Sequence, residues 1–330
     1  MKKNGTFIIS LDFELHWGCV ESKTVLDYQS QQYFINTRNV IPNILYLFDE
    51  HNIHATWATV GMLFNKSSLD WQKKIPTIIP TYKNKKVSVY EWIFKNGFLK
   101  EDDCCHFAPE LIQKIKETKN QELATHTYSH YFCLEKGQTI EQFRQDIERA
   151  VTVAKEKDIE ITSLVFPRNQ YNDQYISVCH EFGIQTVRTC PNVWYWSPTA
   201  ESGLLRKLFR TGDAYLKINS IPPVFLEDIK TDQLPLRLPA SRLYRPWTPK
   251  LSLLNKLKQK RILQEMTAAA QNGAYYHLWW HPENFGLFPD KCMEELKQIV
   301  NHYVYLNKKY GFESYNMHEI SKLLLNRIEK

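Results

Sequence analysis

Short apolar segments alternate with amphipathic segments along most of this 330-residue chain. The apolar segments have the length and the β-prone composition of buried strands, and they cover residues 7–11, 53–60, 121–125, 163–166, 185–188, 274–280 and 312–314. The amphipathic segments carry apolar residues at helical spacing, and they cover residues 37–50, 109–118, 139–157, 173–182, 251–272, 290–309 and 317–327. Because strands that alternate with helices build parallel sheets, this order predicts an α/β fold with about seven strands in a mostly parallel sheet.

Two stretches interrupt the alternation. Residues 65–105 have mixed polarity, and residues 189–249 are rich in proline and have no clear periodicity. Stretches of this length without regular structure are usually functional loops or insertions. We therefore predict one domain over residues 1–330, with insertions near 65–105 and 189–249.

Polar clusters follow several of the predicted strands directly. They contain Asp12 with Glu14, His126 with His130, Arg168, and His281. In α/β barrels the carboxyl ends of the strands form the rim at which catalysis takes place. The clusters are therefore expected to meet at one end of the fold.

The first two clusters have the composition of a hydrolytic metal site. Asp12 and Glu14 are two residues apart, so they share a face if the strand continues through them. His126 and His130 are four apart, a spacing that brings two imidazoles together on a turn. Three such groups can hold a zinc-like ion and leave a position open, while the fourth transfers protons. Each pair alone also fits an ordinary structural role, and the histidine pair lacks the glutamate of the metalloprotease helix.

The other two clusters suggest supporting roles. Arg168 at the end of a strand can pair with a carboxylate and hold it ionised, although a surface arginine is the alternative. On a strand, His277, Trp279 and His281 share a face. His281 beside tryptophans is a candidate proton donor, whereas a buried aromatic strand with an incidental histidine is the alternative.

The order of these motifs resembles the polysaccharide deacetylases of the NodB-homology type, which form carbohydrate esterase family 4. That family carries Thr-Phe-Asp-Asp-Gly, His-(Ser/Thr)-x-x-His, Arg-x-Pro-Tyr and Leu-x-x-His motifs in this order. The corresponding segments here are Ser10-Leu11-Asp12-Phe13-Glu14, His126-Thr127-Tyr128-Ser129-His130, Arg168-Asn169-Gln170-Tyr171 and Leu278-Trp279-Trp280-His281. The resemblance spans residues 5 to 325, and its histidine motif is the specific part.

The resemblance implies a distorted (β/α)7 TIM-like barrel with one divalent metal, most often zinc. It implies that Asp12 is the general base and that Arg168 orients and ionises it. His126 and His130 are implied as metal ligands. The backbone N–H of Tyr171 is implied to bind the oxyanion, and His281 to protonate the leaving amine.

Two positions depart from the family pattern. Phe13 stands where the family has its metal-binding Asp, and Glu14, one residue on, is the expected replacement ligand. Gln170 stands in place of the motif's proline. Both departures indicate a divergent branch.

Composition narrows the compartment and the partners. The net charge of +6 is mild, and the sequence has no nucleic-acid-binding motif. The seven cysteines show no zinc-finger or disulfide spacing, which favours a reducing compartment. The apolar run before Asp12 is too short for a signal peptide or a membrane span. We therefore expect a cytoplasmic protein.

The expected substrate is an N-acetylated sugar or a cytosolic precursor of a surface polysaccharide, linked to a nucleotide or a lipid. Residues 204–210 and 250–262 are basic and partly apolar, so contact with an anionic membrane is a minor hypothesis. Aromatic side chains in the second insertion could stack on sugars or simply order the loop; they are Trp194, Tyr195, Trp196 and Trp247. The alternative functions are a metal-independent cyclic-amide hydrolase of the same superfamily and a non-catalytic carbohydrate-binding relative.

Overall fold

The computed structural model describes residues 4–201, 203–216 and 222–326. The start of the predicted domain at residues 1–3 and the end of its last helix at Arg327 lie outside this part. The sheet strands in the described residues are β1 (Thr6–Phe13), β2 (Ala55–Thr59), β3 (Gln121–Thr125), β4 (Ser163–Val165), β5 (Thr186–Thr189), β6 (Leu236–Pro239), β7 (Arg242–Leu243), β8 (Tyr275–Trp280) and β9 (Glu313–Tyr315).

Helices follow most of these strands, as the alternation predicts. The α-helices in the same residues are α1 (Tyr28–Glu50), α2 (Ser68–Gln72), α3 (Val89–Asn96), α4 (Asp103–His106), α5 (Pro109–Glu117), α6 (Ile140–Lys155), α7 (Asp173–Glu181), α8 (Leu204–Tyr215), α9 (Ser252–Asn272), α10 (Pro289–Tyr310) and α11 (Met317–Leu325). None of the helices described here is long and apolar enough to cross a membrane.

The parallel sheet curls into a distorted barrel. Its strands lie in the order β6-β5-β4-β3-β2-β1-β8-β7, and β9 pairs with the first residues of β1. Only Ala240 and Ser241 separate β6, which pairs with β5, from β7, which pairs with β8. One segment therefore joins both ends of the sheet. If this segment is counted as one interrupted strand and β9 is set apart as an addition to β1, seven strands remain, as in the expected (β/α)7 barrel.

The register of the sheet brings the predicted polar clusters to one edge. Leu11 on β1 lies opposite Trp280 on β8, so the next residues, Asp12 and His281, are at the same height. Phe13 lies opposite Thr59, which in turn lies opposite Thr125 of β3. Glu14 and His126 are the residues that follow at the same edge, so the clusters converge as expected.

Local sequence explains where several helices begin. Thr139 caps α6, and its side chain and that of Gln142 form the predicted capping box. Helix α1 begins nine residues before the predicted start at residue 37, because Asp27 accepts a hydrogen bond from Ser30 N and caps a polar first turn.

The two interrupting stretches contain regular structure. Residues 65–105 contain α2, α3 and most of α4, and their aromatic side chains pack on Trp17, which follows β1, and on one another. Residues 189–249 contain α8 and also β6 and β7. The second stretch therefore supplies barrel wall as well as loop, which the lack of periodicity did not predict.

Candidate metal and acid–base site

A cleft of about 420 Å³ opens at the carboxyl ends of the barrel strands. Asp12, Glu14, His130 and His281 line its floor. His126 lies directly beneath, fully buried. The structure thus brings together the residues that the sequence singled out on three separate segments.

Glu14 and the two histidines of the 126–130 segment form a compact triad. Oε1 of Glu14 lies 2.9 Å from Nε2 of His126 and 3.2 Å from Nε2 of His130. The two imidazole rings are 5.2 Å apart, as the four-residue spacing predicts. Glu14, and not Phe13, therefore places a carboxylate beside the two imidazoles.

The triad fits a divalent cation. Nδ1 of His126 lies 2.8 Å from the carbonyl oxygen of Val165. A carbonyl only accepts hydrogen bonds, so Nδ1 carries a proton and a neutral His126 turns its Nε2 lone pair towards Glu14. Two acceptors 2.9 Å apart require either a second proton on the ring or a cation between them. A carboxylate and two imidazoles are ordinary zinc ligands, and three protein ligands leave the open position that catalysis needs.

The histidine turn has strained backbone and a buried acceptor that supports it. Thr127 and His130 have φ values of 63° and 54°, which non-glycine residues adopt at an energetic cost. The carboxylate of Asp146 on α6 accepts hydrogen bonds from the backbone N–H groups of Tyr128 and Ser129 and from the Ser129 hydroxyl. Burial, only partly offset by these bonds, raises the pKa of Asp146 to about 6. Asp146 therefore holds the histidine turn in place, although no sequence pattern predicted this role.

Asp12 is paired with Arg188, on the rim end of β5. The Arg188 guanidinium donates to both carboxylate oxygens, at 2.6 and 2.7 Å. It also donates to the Ser10 hydroxyl and stacks 4.1 Å from the ring centre of Trp279. Both side chains of the pair are almost fully buried. The geometry fixes the orientation of Asp12 in the cleft.

The predicted pairing of Arg168 with Asp12 is wrong. Arg168 lines the cleft, but its guanidinium pairs with Glu21 and lies over the ring of Phe132. The reason is the backbone: Arg168 and Asn169 adopt left-handed conformations, with φ of 53° and 52°, after β4 has ended. The side chain therefore leaves the direction that a strand would give it, and Arg188 occupies the place beside Asp12.

His281 lies between the two carboxylates. Its Nε2 is 3.5 Å from Oε1 of Glu14 and 3.8 Å from Oδ2 of Asp12. Burial lowers its pKa, but the negative charges of Glu14 and Asp12 outweigh this effect and raise the pKa of His281 to about 9. In the ion-free site, this ring is therefore a cation at neutral pH and has a proton to donate.

Glu283 supports the chain that carries Glu14. Its Oε1 accepts the backbone N–H groups of Glu14 and Leu15, at 2.7 and 2.5 Å. Leu15 has a φ of 48°, so these bonds stabilise a left-handed residue directly after the candidate ligand. This second carboxylate lies two residues after His281, and no sequence pattern predicted its role.

Tyr171 does not line the cleft. Its hydroxyl accepts the backbone N–H of Cys190, and its ring packs on Phe166. The cleft is lined instead by Arg168, Asn169 and Gln170 of the same segment. Gln170 accepts the N–H of Leu134, so it ties this loop to the histidine segment where the family has proline. The role predicted for the Tyr171 backbone N–H stays a prediction.

The aromatic residues of the second insertion occupy different places. Trp196 lines the cleft and meets Trp279 edge to face. Trp194 is exposed and Tyr195 is fully buried. Trp247 lies in a separate groove between α9 and α10. Only Trp196 of the four is placed to meet a ligand in the cleft.

The chain matches the polysaccharide deacetylase family model over residues 27–187. The matched segment contains both histidines of the triad but neither Asp12 nor Glu14. No curated protein sequence matches the chain. The match confirms the resemblance found in the motifs and supports a hydrolase that acts on carbon–nitrogen bonds of acetylated carbohydrates.

Solved structures with the same fold include deacetylases and a sugar transferase. A Mycobacterium smegmatis protein described as a polysaccharide deacetylase aligns with a TM-score of 0.63 at 13% identity, covering 99% of this chain and 92% of that one. A Pseudomonas aeruginosa PAO1 protein described as a polysaccharide deacetylase aligns with a TM-score of 0.57 at 10% identity, covering 96% of this chain and 89% of that one. The 4-α-glucanotransferase of Thermococcus litoralis gives 0.53 at 12%, covering 96% of this chain and 40% of that one. At these identities the alignments show a shared fold and nothing about the reaction.

Proposed function

We propose that this protein is a metal-dependent N-deacetylase that hydrolyses the acetamide of an N-acetylated carbohydrate. The observation that carries the proposal is the convergence of Glu14, His126 and His130 beside Asp12 and His281. The candidate ligand atoms lie within 4.8 Å of one another, and the candidate base and acid flank them in the same cleft.

Glu14, His126 and His130 are the proposed ligands of a zinc-like ion. Such an ion, when bound, supplies Lewis-acid chemistry that polarises a carbonyl and acidifies water. Val165 fixes the His126 tautomer, and Asp146 and Glu283 hold the backbone on both sides of the ligands. These contacts support a rigid site, which metal affinity requires.

Asp12 and His281 are the proposed proton-transfer pair. Asp12, held by Arg188, accepts the proton of the water that attacks the acetamide carbon. His281 donates its proton to the nitrogen as the carbon–nitrogen bond breaks, because an amide anion is a poor leaving group. The products are acetate and a free amino sugar. The Tyr171 backbone N–H remains the proposed oxyanion donor, on the family resemblance alone.

The proposed location is the cytoplasm, with a precursor of a surface polysaccharide as substrate. All seven cysteines are free, including the adjacent Cys104 and Cys105, which fits a reducing compartment. This part of the proposal rests on the free thiols.

The test is acetate release from a panel of N-acetylated sugars, before and after chelator treatment. The proposal expects release that chelator abolishes and added zinc restores. Asp12→Asn should lose turnover yet bind metal normally, since Asp12 is not one of the three proposed ligands. Release that is insensitive to chelator would favour the cyclic-amide hydrolase alternative, and no release from any substrate would favour a non-catalytic binder.

A further inference from the structure

One end of the active-site cleft is strongly cationic. Lys207 and Arg210 of α8 and Arg245, after β7, line the same cavity as Asp12 and His281. In the described part of the chain, no ion pair with a carboxylate includes any of the three. Asp213, on the next turn of α8, is already paired with Arg242 and Arg261. Within the described residues, none of these three positive charges is therefore neutralised by an ion pair.

The two arginines are held in position rather than free in solvent. Nε of Arg210 donates to the carbonyl of Tyr195 at 2.6 Å, and its guanidinium lies 5.0 Å from the ring centre of Trp196. Arg245 donates from Nη2 to the carbonyl of Arg210 at 3.3 Å. Its Nε is buried and has no hydrogen-bond partner. Burial lowers the pKa of both guanidinium groups.

Such an arrangement is unfavourable without a ligand. Burying a cation away from water costs free energy unless an anion compensates it. Here the half-buried guanidinium of Arg245 donates to the backbone of Arg210, whose own guanidinium is also half-buried, and Nε of Arg245 is an unused donor. Guanidinium forks match the oxygen geometry of phosphate, and a nearby ammonium adds a further charge.

We propose that Lys207, Arg210 and Arg245 bind the phosphate or diphosphate group of the substrate, which places its N-acetylated sugar over Asp12 and His281. The inference rests on the proposed deacetylase function and narrows its substrate class. A neutral polysaccharide would leave these three charges uncompensated, whereas a sugar linked through phosphate neutralises them on binding. Trp196, beneath Arg210, completes the wall between the anion subsite and the sugar.

The phosphate can come from a nucleotide or from a lipid carrier. Leu204, Leu205 and Leu208 are 74%, 60% and 59% exposed on the helix that carries Lys207 and Arg210. Exposed leucines beside basic residues also suit the surface of an anionic membrane. The shared chemistry is the phosphate ester, and the experiment separates the two sources.

The kinetic test compares a phosphate-linked substrate with a neutral one. The phosphate-linked substrate is UDP-N-acetylglucosamine or a polyprenyl-diphosphate N-acetylglucosamine, and the neutral one is N-acetylchitotetraose. We expect Arg245→Gln to lower the kcat/KM for the phosphate-linked substrate, divided by that for the neutral one, by about 10- to 100-fold. This is the range for one charge-assisted hydrogen-bond pair. Arg144→Gln is the matched control, because it removes the same charge from an exposed pair with Glu181. An unchanged ratio in Arg245→Gln would overturn the phosphate assignment.

The two arms of the experiment also identify the source. If the enzyme prefers the polyprenyl substrate, and Leu205→Ser reduces turnover of that substrate only, the phosphate comes from a lipid carrier. Preference for the nucleotide sugar, with no effect of Leu205→Ser, indicates a nucleotide. Both results support a phosphate subsite, and preference for the neutral tetraose contradicts it.

A binding measurement separates this inference from the proposed reaction. Isothermal titration calorimetry with inorganic pyrophosphate should show binding to the wild type and to Arg144→Gln, and binding at least tenfold weaker to Arg245→Gln. If no substrate is deacetylated but this pattern is found, the subsite stands and the reaction fails. If deacetylation occurs but pyrophosphate binds the wild type and Arg245→Gln alike, the reaction stands and the subsite fails.

Discussion

Replacement of Arg188 by methionine tests which arginine supports Asp12. Methionine keeps much of the side-chain volume and removes the charge and the donors. The Asp12 carboxylate, whose side chain is 4% exposed, then remains in the barrel without its hydrogen-bonded ion-pair partner. The matched change is Arg168→Met, because the family pattern assigns this role to Arg168.

The expected magnitudes differ because the two ion pairs differ in burial. Removing one partner of a buried pair costs about 3–5 kcal/mol of folding free energy. The Arg168–Glu21 pair has side chains 33% and 36% exposed, and exposed pairs contribute about 0.2–1 kcal/mol. We therefore expect Arg188→Met to destabilise the fold several times more than Arg168→Met does.

The assay is equilibrium urea unfolding followed by tryptophan fluorescence. The single variants are measured together with Asp12→Asn and the double variant Asp12→Asn/Arg188→Met. Because Asn carries no charge, the double variant should recover about 0.5–3 kcal/mol of the loss, the usual range for coupled neighbours. This recovery makes the test informative even if Arg188→Met alone does not fold.

Equal destabilisation by Arg188→Met and Arg168→Met would refute the pairing. So would additive effects of Asp12→Asn and Arg188→Met, because additivity means that the two side chains do not interact. Coupling between Asp12→Asn and Arg168→Met would restore the assignment that the family pattern suggests.

Three other changes probe the supports of the site. A Cβ at Gly18 would overlap Oε2 of Glu14, whereas Gly203 has open space around it. Gly18→Ala should therefore weaken zinc binding about 10- to 100-fold in a competition assay. An effect no larger than that of Gly203→Ala would contradict this. Asp146 has a folded pKa of about 6, above its ordinary 3.8, so its contribution to stability falls as pH rises between these values. The unfolding free energy of wild type relative to that of Asp146→Asn should therefore fall over this interval. A difference that does not change with pH would count against burial as the cause of the raised pKa. His281 has a folded pKa of about 9 in the ion-free protein, so its stabilising contribution is complete below pH 6.5 and is lost as pH rises towards 9. The unfolding free energies of chelator-treated wild type and His281→Gln, measured in urea, should converge over that range. A constant difference would exclude the ion pairs of His281 as the source of the stabilisation.

The sequence predicted a parallel α/β sheet because its strands are short, apolar and regularly followed by helices, and the family resemblance implied the barrel. Strand β3 has the predicted bounds, and β1, β2 and β8 differ from theirs by a few residues. The register of parallel strands then places the residues after each strand at one edge. This is why Asp12, Glu14, His126 and His281 could be grouped from the sequence.

Most residues that support the site could not be predicted from the positions of the strand ends, and Arg188 is the exception. Asp146 and Glu283 act through backbone N–H groups of distant segments, and no sequence pattern marks such acceptors. The motif that contains Arg168 predicted a contact with Asp12, but the left-handed backbone at Arg168 directs its side chain elsewhere. Arg188, however, ends a predicted strand just as Asp12 nearly does, so the rim rule applied to every strand end would have found it.

The decisive measurement is anomalous X-ray diffraction at the zinc edge from a crystal grown with zinc. The account predicts one strong peak about 2.0–2.2 Å from Oε1 of Glu14 and from Nε2 of His126 and His130, with Asp12 and His281 facing the open side. A peak elsewhere, or no peak at these three side chains in zinc-saturated crystals, would contradict the proposed metal centre.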